Sequence, residues 1–235
     1  MTGPEVSVLA FMAGKTVVPM VSAMDHKRAK DNDEGLNTGG MGTVAPNPYY
    51  TEAVAAECME KIFVPTMNAM NAEGRPFKGC LFFGLMITPK GPRVIEYNCR
   101  FGDPETQVVL PLLESDLLTV MQAVAAERLC EVEVKFSNGA ACCVVLASDG
   151  YPKSYASGFE MTLPETNAGE YLFVAGAKKD GDKLLTAGGR VIGAVATDVD
   201  LPAAVAHAYR VAEKVEFENK YCRKDIGKRA LAALK

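Results

Sequence analysis

With 235 residues, a formal net charge of −4, 49% apolar and 23% charged side chains, the chain is long enough to bury one large core or two modest ones without covalent staples. The acidic balance argues against a nucleic-acid or anionic-membrane surface, although local positive charge could still meet a small anionic, metal-bound substrate. Seven cysteines without a CxxC pair and only two histidines speak against a disulfide framework or a zinc site, and read as small buried side chains in a reducing compartment. Residues 1–3 lack a basic region, and the apolar run 6–12 soon meets Gly14 and Lys15, so no signal peptide is expected. No run of about 18 apolar residues points to a transmembrane helix, and a cytoplasmic protein is expected.

In chain order, 5–12 alternates as a strand, 13–15 forms a turn and 16–21 is the return strand of a hairpin. A polar, glycine-rich loop covers 25–48, long enough to carry function. Residues 51–72 read as a helix capped by Thr51 and kinked or split at Pro65. Strands follow at 78–88 and 93–99 around the turn 89–92, then a loop at 100–106 and a helix at about 115–129 capped by Ser115 or Asp116. Composition shifts near Cys130. The second half is expected to hold strands at 131–136 and 141–147, strands at 171–177 and 183–186 flanking a turn at 178–182, and a strand at 191–197. Pro202 opens a last helix to about 215, with Asp200 near its N-cap. No internal repeat or low-complexity tract occurs. The fold class is α+β, with domains expected at 1–130 and 131–235.

The strongest local chemical signal is Glu96-Tyr97-Asn98-Cys99-Arg100. On a strand, Glu96, Asn98 and Arg100 share one face, and Tyr97 and Cys99 point the other way, into packing. A carboxylate beside an amide oxygen suits a hard cation such as Mg²⁺, which fills its shell with water and substrate phosphates. Arg100 on the same face could neutralise a transferring phosphoryl group. The plain alternative is an edge strand with a solvated polar face. Asp103-Pro104-Glu105 adds two carboxylates at the strand end, where Asp103 could orient Arg100, close the turn, or do both. Asp25-His26-Lys27-Arg28 offers cations for a phosphate or carboxylate, or else a solvated charge run. Asn37-Thr38-Gly39-Gly40-Met41-Gly42 could cradle an anion on bare amides, but is neither a P-loop nor a dinucleotide fingerprint. Glu5 by itself reads as a surface acid, and Gly188-Gly189-Arg190 as a bend before a strand.

Taken in order, Glu5-Val6-Ser7, Asp25–Arg28, Asn37–Gly42 and the run from Glu96 to Gln107 resemble the phosphoribosylamine–glycine ligase family of ATP-grasp enzymes. Gly150-Tyr151-Pro152, Ala175-Gly176, Gly188–Val191 and Tyr221–Gly227 are similar to that family's C-terminal domain, so the resemblance covers essentially the whole chain. Each motif alone is weak, but their joint order and spacing are specific. The architecture it implies is the C-terminal part of an ATP-grasp fold, an antiparallel sheet with helices, followed by a small α+β domain.

The activity implied by the resemblance is stepwise. ATP phosphorylates glycine to glycyl phosphate, and the amine of 5-phosphoribosylamine then displaces phosphate. The resemblance makes Glu96 and Asn98 ligands of Mg²⁺ or Mn²⁺ and Arg100 the residue facing the phosphoryl group. Asp25, Lys27 and Arg28, with Asn37, Thr38 and Gly39, would shape the pocket for glycine and 5-phosphoribosylamine. Asp103 and Glu105 would support that pocket, and Glu5 would contact the nucleotide ribose. The strand 79–87 carries no acid, so the metal would rely on few protein ligands. The family has a substrate domain and the first half of the ATP-grasp fold before the segment matched here, including the nucleotide-binding lysine. The isolated chain is therefore expected to be inactive; the alternative is a non-catalytic chain that self-associates through unpaired strand edges or complements an N-terminal half. A different ATP-grasp ligase, such as a biotin-dependent carboxylase component, is the remaining alternative.

Overall fold

The computed structural model describes residues 1–234, in two compact units. The first comprises Met1–Met24, Pro46–Gly102 and Leu112–Asn138; the second comprises Asp25–Ala45, Asp103–Pro111 and the described residues from Gly139 onward. Both mix helices with antiparallel sheet, in accord with the α+β expectation.

The first unit is built on the expected hairpin, Glu5–Ala13 with Thr16–Pro19. Glu5–Ala13 also pairs with Gly79–Thr88, which in turn pairs with Gly91–Asn98, giving a four-stranded antiparallel sheet with Gly91–Asn98 at one edge. Val6, Val8, Ala10 and Met12 point to one face, as the period of two requires, and pack with Ile62, Phe63, Met67 and Phe83. Leu9 and Phe11 on the other face are buried too, so the central strand reads as nearly continuous apolar sequence. The helix Leu117–Ala125 packs on Glu5–Ala13 and Gly79–Thr88, capped by Asp116, whose carboxylate accepts the Thr119 amide at 2.7 Å.

The helix expected at 51–72 is three segments: Glu52–Cys58, a π-helical turn Met59–Phe63, and Val64–Ala72. Thr51 caps it as expected, its hydroxyl accepting the Val54 amide at 3.3 Å. The widened turn lies immediately before Pro65, which has no N–H to give to a carbonyl one turn back and whose ring would crowd that carbonyl. The strand expected at 131–136 does not form. Leu129–Glu131 is a 3-10 turn, and the following residues make only a bridge, Leu113 to Phe136, with Glu114 N–H bonding to Lys135 O at 2.9 Å. The stretch is hydrogen-bonded to residues 112–115 instead of entering a sheet.

In the second unit the strand Ala140–Ser148 is buried along its whole length. It lies between Arg190–Asp198 and Gly42–Ala45, with Glu170–Val174 beyond Arg190–Asp198, in a six-stranded sheet. The helix Leu201–Lys214 covers Ala140–Ser148 and Arg190–Asp198, and its N-cap is Asp200, accepting the Ala203 amide at 2.8 Å. A short hairpin, Ala177–Asp180 with Lys183–Thr186, turns at Gly181.

The polar stretch 25–48 is ordered structure where a loop is expected. Arg28–Lys30 and Glu34–Asn37 form a hairpin, and Gly42–Ala45 is a buried strand of the large sheet, in register with Ala141–Val144. Its glycines hide the signal of a strand that is specified by a partner about a hundred residues away in sequence. Of the cysteines, Cys58, Cys80, Cys142 and Cys143 are buried as expected, whereas Cys99 and Cys130 are exposed; all seven are free.

Candidate functional site

Two clusters carry the residues singled out by sequence, one in each unit. In the first unit, Glu96 and Asn98 lie near the end of the edge strand, opposite Gly84 and Phe82. The register shifts between Gly84 and Leu85, leaving Ile95 as the extra residue of a bulge and half exposed. Gly84 is where the Glu96 side chain lies: a Cβ there would come within 2.8 Å of Glu96 Cγ. Two residues apart beyond the bulge, Glu96 and Asn98 bring a carboxylate and an amide oxygen to one side of the strand. Two oxygen donors of this kind fit a cation that completes its shell with water and phosphate oxygens. Among the described residues no three of His, Cys, Asp and Glu converge on a metal position, so any ion here is held by few protein ligands.

The expected facing is only partly met. Tyr97 packs its ring on Phe83, with centroids 5.5 Å apart, and its hydroxyl lies 3.0 Å from Thr66 Oγ1, yet it remains 47% exposed. Cys99 is exposed instead of packed. Both residues lie at the edge strand of the sheet, where cover is incomplete. Arg100 stands past the strand end, with its Nη1 on the Phe101 carbonyl at 2.9 Å. The Glu5 carbonyl accepts Asn47 Nδ2 at 3.1 Å, while the residue itself is exposed at the strand start.

The second cluster is tighter. Asp25, Lys27, Thr38, Gly39, Gly40, Asp103 and Glu105 are brought together with Arg190, which the sequence reading leaves without a role. Asp25 Oδ1 is shielded from solvent and has no hydrogen-bond partner. Burial, then the neighbouring Glu105 charge, push the Asp25 carboxyl well above the usual range, and Lys27, the His26 backbone amide and Arg190 act against that rise. Glu105 is itself only 4% exposed.

Around these carboxylates the backbone is tied down. Thr38 Oγ1 donates to the Lys27 carbonyl at 2.9 Å and accepts the Gly40 amide at 2.9 Å. The Gly39 amide donates to the Tyr151 hydroxyl at 3.3 Å, and the Met41 amide to the His26 carbonyl at 2.8 Å. Three successive amides are thus already satisfied within the protein, which favours a structural loop over an anion cradle built on these N–H groups. Gly40 is needed for a different reason. Its φ is +113°, and a Cβ there would collide with Pro104 and come within 2.7 Å of Asp25 Oδ1.

Asp103 is engaged within its own unit. Its carboxylate takes Arg190 Nη2 at 2.8 Å and Gln107 Nε2 at 2.8 Å. Arg28 closes its own hairpin, Nη1 donating to the Gly35 carbonyl at 2.9 Å, across from Asn37. His26 is buried and structural: one ring nitrogen meets the Gly42 carbonyl at 3.1 Å, and the other accepts the Gly227 amide at 3.1 Å. That pairing places the proton on Nδ1. Arg223 is buried as well, held by Asp225 and Asp33, and it locks the segment after Tyr221 onto the 28–34 hairpin. An arginine opening an otherwise apolar strand, and a second one beside a lone aspartate, were the available sequence signals for Arg190 and Arg223.

Residues 1–106 match the family described as phosphoribosylglycinamide synthetase, ATP-grasp (A) domain, and residues 141–229 match phosphoribosylglycinamide synthetase, C domain. A phosphoribosylamine–glycine ligase of Clostridium acetobutylicum is 45% identical over 226 residues, covering 96% of this chain and 54% of that protein. The chain therefore spans about half the length of the curated relatives it matches. The crystal structure of a phosphoribosylamine–glycine ligase from Thermotoga maritima superposes with a TM-score of 0.86 at 35% identity, covering 96% of this chain and 56% of that one. The biotin carboxylase domain of a Hydrogenobacter thermophilus 2-oxoglutarate carboxylase, at 15% identity and a TM-score of 0.66, shares the fold alone; it covers 93% of this chain and 46% of that one. With both of its domain types matched in order, the chain belongs to the phosphoribosylglycinamide synthetase family.

Proposed function

We propose that this chain supplies the C-terminal part of the catalytic apparatus of an ATP-dependent carbon–nitrogen ligase. That enzyme joins glycine to 5-phosphoribosylamine through glycyl phosphate, giving 5′-phosphoribosylglycinamide, ADP and phosphate in purine biosynthesis. The observation that carries the reading is the buried, unpartnered Asp25 oxygen beside Glu105, packed so closely on Gly40 that it and the Pro104 ring leave no room for a Cβ there. An unsatisfied buried carboxylate costs stability and is retained where a ligand completes it; both acceptor substrates carry an amine.

In this reading Asp25, Lys27 and Arg28, with Asn37, Thr38 and Gly39, form the wall for glycine and 5-phosphoribosylamine, supported by Asp103 and Glu105. Glu96 and Asn98 hold Mg²⁺ or Mn²⁺, which when bound neutralises the triphosphate. Arg100 faces the transferring phosphoryl group, where a fixed cation lowers the barrier as charge spreads over its oxygens. Glu5 meets the nucleotide ribose. The protein works in the cytoplasm, and among its described residues no helix is long and apolar enough to cross a membrane.

The test is ATP- and glycine-dependent formation of the ribonucleotide amide, by this chain alone and after mixing with a polypeptide that supplies the relatives' remaining length. Product only on mixing is the expected result. Product from the chain alone would overturn the division of labour, and none from either would overturn the ligase role of this polypeptide. A second reading, a non-catalytic chain that self-associates, is favoured by the edge strand Gly91–Asn98, which exposes Ile95 and Tyr97. Light scattering that shows a strict monomer at high concentration counts against it.

A further inference from the structure

Arg190 opens the strand Arg190–Asp198, and the pairing with Ala140–Ser148 shifts register between Arg190 and Ile192. Such an irregularity re-aims a side chain out of the regular alternation. The guanidinium then meets two separate loops at once. Nη1 donates to the Gly39 carbonyl at 2.9 Å, with Gly40 O at 3.4 Å and Asp103 O at 3.2 Å. Nη2 donates to Asp103 Oδ2 at 2.8 Å. The contact on Gly39 is close: a Cβ there would lie 2.9 Å from Arg190 Cζ and would push the guanidinium aside.

The other end of the same peptide is also held. Gly39 N–H donates to the Tyr151 hydroxyl, and the Tyr151 ring lies where a Cβ of Gly189 would stand. Gly39 is thereby gripped at its N–H by Tyr151 and at its C=O by Arg190, with Gly189 giving way to the tyrosine. Asp25, on the short strand Met24–Asp25, lies against Gly40, and Glu105 follows Asp103 and Pro104, so Arg190 ties the turn that Asp25 packs on to the loop that carries Glu105.

We infer that Arg190 is a positioning residue that locks the Gly39-Gly40 turn to the Asp103–Glu105 loop and thereby sets the affinity of the pocket for its amine-bearing acceptor substrates. The assignment of those substrates rests on the ligase reading above; the locking does not. A planar fork with several donors can satisfy a carboxylate and backbone carbonyls together, which a lysine ammonium cannot do in one geometry. Loss of the fork lets the turn and the loop move independently, which weakens ground-state and transition-state binding alike and so raises KM while sparing kcat.

The experiment has two arms, using wild type, Arg190→Gln and Arg190→Lys. In the first, amide hydrogen exchange is followed on the chain itself. Arg190→Gln is expected to lose about tenfold or more of its protection at residues 38–41 and 103–107, while the buried strand Ala140–Ser148 keeps its own, which shows that the fold survives. Arg190→Lys is expected to recover protection at 103–107 and not at 39–40. Unchanged exchange in both segments for Arg190→Gln overturns the proposal. In the second arm, kinetics are measured in the mixture with the complementing polypeptide. KM for glycine or 5-phosphoribosylamine is expected to rise about tenfold in Arg190→Gln, with KM for ATP unchanged and kcat within about threefold. A fall in kcat at constant KM, the signature of less folded protein, overturns the positioning role. An inactive wild-type mixture overturns the ligase reading, and the substrate assignment with it, while the exchange arm still decides whether Arg190 locks the two loops.

Discussion

Arg223 and Asp225 form a two-pronged ion pair in the interior of the second unit, with Nε to Oδ1 and Nη2 to Oδ2 both at 2.8 Å. The guanidinium is 1% exposed and also reaches Asp33 Oδ1 at 3.0 Å and the Arg28 carbonyl at 3.0 Å. Burial alone would raise the Asp225 carboxyl, but Arg223 and the Asn32 amide hold it down at about 2. The pair closes the chain after Tyr221 onto the 28–34 hairpin, and hence onto the segment that carries Asp25, Lys27 and Arg28.

Asp225→Asn leaves the buried guanidinium with Asp33 as its one remaining carboxylate. The expected loss is about 3 kcal/mol in urea unfolding at pH 7, since removing one partner of a buried pair leaves a charge poorly compensated. The wild-type contribution is fully present above the ordinary aspartate value of 3.8 and is lost as pH falls toward about 2. Equal stability of the two proteins at pH 7 would show that Asp33 alone compensates Arg223.

His26 gives a second, separate pH dependence. Burial first, and then the Arg223 charge, lower its pKa from 6.5 to about 4. A depressed histidine contributes stability that is present above 6.5 and disappears as pH falls through the folded value, because the unfolded chain takes up the proton first. The stability of wild type minus that of His26→Gln should therefore fall by about 3 kcal/mol between pH 7 and pH 4. A difference that stays constant across this window would mean that His26 is hydrated and titrates normally.

Gly40→Ala tests the crowding around Asp25. The left-handed φ of +113° disfavours a Cβ, and Asp25 Oδ1 and Pro104 both stand in its way. About 3 kcal/mol of destabilisation is expected from backbone strain and overpacking together. Thermal unfolding of the variant at the wild-type midpoint would indicate that the two loops separate easily.

Glu96→Gln separates metal binding from folding. Glu96 is exposed on an edge strand, so the unfolding midpoint should change by less than about 0.5 kcal/mol equivalent. In the complemented ligase the loss of an anionic ligand should reduce turnover by about a hundredfold, partly recovered at high Mg²⁺. Activity within threefold of wild type would remove Glu96 from the metal site.

Much of the local structure was legible in the residues themselves. The hairpin from Glu5, the caps at Thr51, Asp116 and Asp200, and the irregularity before Pro65 each depend on neighbours within a turn or two, where side-chain chemistry acts directly on the backbone. The motifs around Asp25, Gly39, Glu96 and Asp103 were legible as well, together with the family to which their order points. Only the tertiary structure decided their partners. Gly42–Ala45 became a strand because Ala140–Ser148 offers it a ladder, whereas 131–136, with a better strand pattern, found no such partner. Asp103 met Arg190, and His26 became a buried link to Gly227. The physical reason is common to these cases. Register, desolvation and charge pairing are set by groups far away in sequence, and no local pattern encodes which of them will arrive.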